Sequence, residues 1–90
     1  MQRLNNKQQS TLSEIFRNPL HANLEWDDIE SLIRALGGEI SEGAGSRVRI
    51  YLNGVRAVFH RPHRANKTDK GAIKSVRRFL TEAGIDHAEI

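Results

Sequence analysis

Two histidines and the arginines around them are the side chains of this sequence best suited to chemistry. His60, Arg61, Pro62 and His63 stand together in one short stretch. Histidine is the usual general base near neutral pH, because its imidazole gains and loses a proton there. RNA carries its own nucleophile, the 2′-hydroxyl. A histidine that removes that proton, with arginines holding the phosphate, suffices for cleavage without a metal. The blander alternative is that both histidines bind phosphate, or end a strand, with no catalytic part. His60 and His63 are also spaced as metal ligands could be, but no third ligand is evident. Asp69 is the single acid between Arg47 and Arg78, so a carboxylate cluster for magnesium is missing as well. The sequence therefore calls for no cofactor.

The charge distribution points the same way. Residues 1–42 carry four Lys/Arg against seven Asp/Glu, a net of −3, and residues 43–90 carry ten against four, a net of +6. Seven of those ten cations are arginines, which suit bidentate phosphate contacts better than lysines. Such asymmetry implies a polyanionic partner on one part of the molecule. A solvated basic surface with no partner is the competing explanation.

These residues need elements to position them. Ninety residues make one small domain with function on a surface or a shallow groove. Without cysteine there are no disulfides or thiolate metal sites. No apolar run is long enough for a membrane span, and the polar start is unlike a signal peptide, so a cytoplasmic location is expected. Helical spacing of Leu12, Ile15 and Phe16 predicts a first helix over about Asn5 to Arg17, stopped by Asn18-Pro19. Trp26, Ile29, Leu32, Ile33 and Leu36 mark one face of a second helix that ends at Gly37-Gly38. Trp26 reads as a core anchor.

Glu39 to Glu42 is a short edge strand. Arg47 to Leu52 alternates polar and apolar residues, and Asn53-Gly54 is the favoured two-residue hairpin turn, with Val55 to His60 returning. That turn pairs Leu52 with Val55, Ile50 with Ala57 and Val48 with Phe59 on one apolar face. The other face pairs Tyr51 with Arg56, Arg49 with Val58, and Arg47 with His60. It is a cationic platform on which Tyr51 either stacks on a base or simply covers Arg56. Arg61 to Lys70 reads as a loop. Thr68 or Asp69 caps a last helix, about Gly71 to Ala83, with Ile73, Val76, Phe79, Leu80 and Ala83 buried and Lys74 exposed. The expected fold class is α+β: an α-β-β-β-α core with an extra N-terminal helix, divided as residues 1–23 and 24–90.

The run Trp26 to Ile33, then Gly45-Ser46-Arg47, then Val58 to His63, Lys70 to Val76 and Ala83-Gly84-Ile85 together resemble the HicA toxin family. The resemblance covers about Leu24 to Ile85. It implies a fold like the double-stranded-RNA-binding domain, a three-stranded antiparallel sheet with helices on one face. It also implies a messenger-RNA interferase of a type II toxin–antitoxin system, neutralised by a HicB antitoxin that covers the active surface. The family's usual catalytic histidine follows the Gly-Ser turn, and here that position is Arg47. The reading of the residues therefore places catalysis on His60, across the strand pair from Arg47, with His63 second. RNA contacts are assigned to Arg47, Arg49, Tyr51, Arg56, Arg61, Lys70 and Lys74. The alternatives are an RNA-binding module that does not cut, or a basic face that only meets an acidic antitoxin.

Overall fold

A computed structural model describes residues 4–20, 24–62 and 67–85. The order of elements is α1 (Asn6–Ile15), β1 (Leu24–Glu25), α2 (Trp26–Ala35), β2 (Glu39–Glu42), β3 (Arg47–Leu52), β4 (Val55–His60), β5 (Lys67–Thr68) and α3 (Lys70–Glu82). Strands β2, β3 and β4 form an antiparallel sheet in that order, and all three helices lie on one of its faces. This is the expected α+β core with its additional N-terminal helix.

Each helix starts where local chemistry starts it. Asn5 caps α1 through a capping box, its side chain accepting from the Gln8 N–H while the Gln8 side chain accepts from the Asn5 N–H. Asp69, one of the two candidate caps for α3, accepts from the Ala72 N–H. Asp27 and Asp28 lie in the first turn of α2, at the positive end of its dipole. Helix α1 ends at Ile15, before Asn18-Pro19. Gly38, after α2, is required by close approach: a Cβ there would sit 2.5 Å from Ile33 Cγ2.

The hairpin register agrees pair for pair with the expectation, from Leu52 opposite Val55 to Arg47 opposite His60. Asn53 and Gly54 both have positive φ, 51° and 85°, as a turn matching the twist of the strands demands. Val48, Ile50, Leu52 and Phe59 are buried against Trp26, Ile29, Leu32 and Ile33 of α2 and Val76, Phe79 and Leu80 of α3. Phe59 links the layers, with ring centroids 5.9 Å from both Trp26 and Phe79. Trp26 is the core anchor its spacing implied.

One feature differs from the expected layout. Leu24–Glu25, expected to lead into the second helix, and Lys67–Thr68, read as part of a loop, pair as a two-residue antiparallel ladder. A ladder this short leaves no periodic signal in the sequence. Helix α1 is also part of the common core, since Leu4, Leu12 and Ile15 are buried with α2 and α3. Arg77 of α3 fastens its end, donating to the Ile15 and Arg17 carbonyls at 2.8 Å each. The Ile15 carbonyl is a last-turn acceptor that the helix itself leaves open, and Arg17 follows the C-cap Phe16.

Candidate nucleic-acid interface

The face of the sheet turned away from the helices carries the site. Alternation along a strand sends every second side chain there. In β3 those are Arg47, Arg49 and Tyr51, and in β4 they are Arg56, Val58 and His60, all exposed. Strand β2 adds Glu39 opposite Tyr51 and Ser41 opposite Arg49. Glu39, Ser41, Arg49, Tyr51, Arg56 and Val58 line a shallow open groove of about 870 Å³ that runs across the three strands, with Arg47 and His60 on the same face beyond it.

The open face is cationic and largely uncompensated. Among the described residues no carboxylate lies within ion-pairing distance of Arg47, Arg49 or Arg56. The Arg56 guanidinium carbon sits 5.4 Å from the centre of the Tyr51 ring, a cation–π contact. Tyr51 thus covers Arg56 as one of its two readings proposed, while the residue stays 41% exposed. Val58 is 57% exposed in the middle of this charged surface. His60 closes the face at the end of β4, directly opposite Arg47.

Of the residues singled out from the sequence, the fold brings Arg47, Arg49, Tyr51, Arg56 and His60 onto one surface. His63 lies outside the described residues. Lys70 and Lys74 are exposed on α3, in the layer that covers the other face of the sheet, so they do not join this groove. Arg61 also projects to the helix side. Its guanidinium donates to Glu30 at 2.8 and 3.3 Å and to Glu42 at 2.7 Å. Those hydrogen bonds, Glu30 first and Glu42 second, push its pKa further above the ordinary arginine value. Arg61 is thereby engaged within the protein, as a clasp between the end of β4, the end of β2 and α2.

Glu30 is the residue that sequence reasoning missed. It is buried, accepts from the Trp26 indole N–H, and lies 3.6 Å from Arg34 as well as contacting Arg61. A signal was available: four residues after Trp26, Glu30 falls on the apolar stripe of α2, where a carboxylate must find a partner. Among the described residues no cluster of three His, Asp or Glu could hold a metal ion. The open face can hold a phosphodiester chain by its arginines, offer Tyr51 to a base, and present one imidazole at the end of β4.

Comparison with known proteins bears on this arrangement. No curated protein and no solved structure matches the chain. The family model described as HicA toxin of bacterial toxin–antitoxin systems matches residues 26–85, from the first residue of α2 to just beyond α3. On that match, which spans both helices and the whole sheet of the core, the chain belongs to the HicA toxin family.

Proposed function

We propose that this toxin binds messenger RNA along the open face of its sheet and cleaves it without a metal, with His60 as the base. The carrying observation is the joint presentation of Arg47, Arg49, Arg56, Tyr51 and His60 on one uncovered face. In this reading the arginines hold the phosphates and His60 takes the proton of a 2′-hydroxyl. The 2′-oxygen then bonds to the adjacent phosphorus as the bond from phosphorus to the 5′-oxygen breaks. The departing oxygen receives a proton from His63 or from water, leaving a 2′,3′-cyclic phosphate and a 5′-hydroxyl. Arg47, at the position after the Gly-Ser turn, contacts phosphate in place of the histidine usual in the family. The antitoxin expected from the family is a HicB-like protein that covers this face.

The test is an assay on a mixed messenger RNA in EDTA, with the toxin freed from its antitoxin. Wild type, His60→Ala and His63→Ala are compared. Loss of cleavage by at least about 100-fold in His60→Ala, with folding and RNA binding kept, is the expected result. Loss in His63→Ala alone would move the base to His63. A folded wild type that binds RNA and leaves it intact would replace the enzyme with a binding module.

A further inference from the structure

Among the described residues the outer edge of β4 is unpaired, and its chemistry defines what can pair with it. The Arg61 N–H donates to the Ser46 carbonyl at 2.9 Å, which sets the alternation along the hairpin. Val55, Ala57 and Phe59 therefore direct their backbone groups toward β3. Arg56, Val58 and His60 direct theirs outward. Strand β4 ends the sheet order, and among the described residues no backbone group bonds to these outward N–H and C=O groups. The same three residues place their side chains on the open face. One edge thus combines a row of free backbone donors and acceptors with a cation, an exposed valine and an imidazole.

Natural sheets blunt their edges with charge or cover them. Here the charge selects among occupants. Two β4 strands pairing antiparallel about Val58 would set Arg56 of each copy against His60 of the other. They would also merge two faces that each carry Arg47, Arg49 and Arg56. The arginines of the two merged faces repel, which disfavours a second copy. Nucleic acid has no strand backbone to complete the ladder. An acidic polypeptide strand satisfies both the ladder and the charge.

We propose that the outer edge of β4 is a strand-docking site, which takes an extended acidic segment of a protein partner as a fourth strand of the sheet. In antiparallel register the residues opposed to Arg56 and His60 are carboxylates and the residue opposed to Val58 is apolar. For a toxin of a toxin–antitoxin pair, the antitoxin is the partner of this kind. The docked strand would lie against the rim of the RNA face and obstruct it. That consequence rests on the cleavage reading, whereas the docking does not.

Isotope-labelled full-length protein is titrated with a synthetic peptide alternating glutamate and valine, and with one alternating lysine and valine, while backbone amides are followed by NMR. With the glutamate peptide, the amides of Arg56, Val58 and His60 shift and slow in exchange, and those of Ala57 and Phe59 change little. The lysine peptide binds about tenfold more weakly, as exchanging attraction for repulsion opposite Arg56 would give. Val58→Pro removes an outward N–H and leaves the ladder to β3 intact, so it abolishes the response while Val48 and Ile50 keep native shifts. Arg56→Glu, an exposed change, reverses the preference between the peptides.

Absence of the alternating pattern, equal response to both peptides, or binding kept in folded Val58→Pro would overturn the proposal. So would edge amides already protected in a dimer of the chain alone, which would make a second copy the occupant. An RNA oligonucleotide titrated into the same sample separates the two readings. RNA binding without the peptide response removes only the docking site, and the reverse removes only the RNA face.

Discussion

Glu30 is buried at 7% side-chain exposure and is held by the Trp26 indole and by Arg61. Removing one partner of such a group leaves the others unsatisfied, which costs more than the interaction contributes net. Glu30→Ala is expected to destabilise the fold by about 2–4 kcal/mol, measured as a lower urea midpoint at unchanged slope. Glu30→Gln keeps an acceptor for the indole and should recover about half of that loss. The same cluster gives Arg61 partners that the sequence reading did not foresee. Next to His60 it looks like one more phosphate contact. Its carboxylates lie 19 and 31 positions away in the chain, and local spacing carries no trace of them. The pairing of His60 with Arg47 could be read in advance, because it follows from the turn and the strand period alone.

Helix α1 lies outside the span matched by the family and is nevertheless joined to the core. Leu12 and Ile15 are almost wholly buried, and Arg77 binds the last carbonyl of the helix. Ile15→Ala should cost about 3 kcal/mol by leaving a cavity between α1, α2 and α3. Arg77→Ala should cost about 1 kcal/mol, the worth of hydrogen bonds with a charged donor at a partly exposed site. Urea unfolding of both variants, beside the exposed control Lys7→Ala at within about 0.5 kcal/mol of wild type, checks this. The helices and the hairpin were legible because each repeats its signal over two or more turns or pleats. The β1–β5 ladder was not, because two residues a side show no period, and chain closure decides where they meet.

For the molecule as a whole, the separation of two basic surfaces matters most. The open face of the sheet holds Arg47, Arg49 and Arg56, while Lys70 and Lys74 stand on the helical side. If three arginines each neutralise one phosphate of a single strand, log affinity should fall with log salt at a slope of about −2. Replacing any one of the three by Ala should flatten that slope by about 0.7, and Lys74→Ala should leave it unchanged. Binding curves on a fixed oligoribonucleotide across a salt series measure this. Equal effects from Lys74→Ala and Arg49→Ala would mean that RNA wraps both layers, and the groove would lose its special place.

The sequence by itself determined the element types, the hairpin register and the basic half of the chain. Each of these rests on short-range rules: side-chain period, turn geometry, capping and the count of charges. It thereby determined that Arg47, Arg49, Tyr51, Arg56 and His60 share one face. Only the tertiary structure decided which basic residues stay available. Packing three helices on one side of the sheet carried Lys70 and Lys74 away from the groove and turned Arg61 inward to Glu30 and Glu42. It left the outer edge of β4 without a neighbour among the described residues. Those outcomes depend on contacts between residues far apart in the chain, and a local pattern cannot encode which distant side chain will arrive.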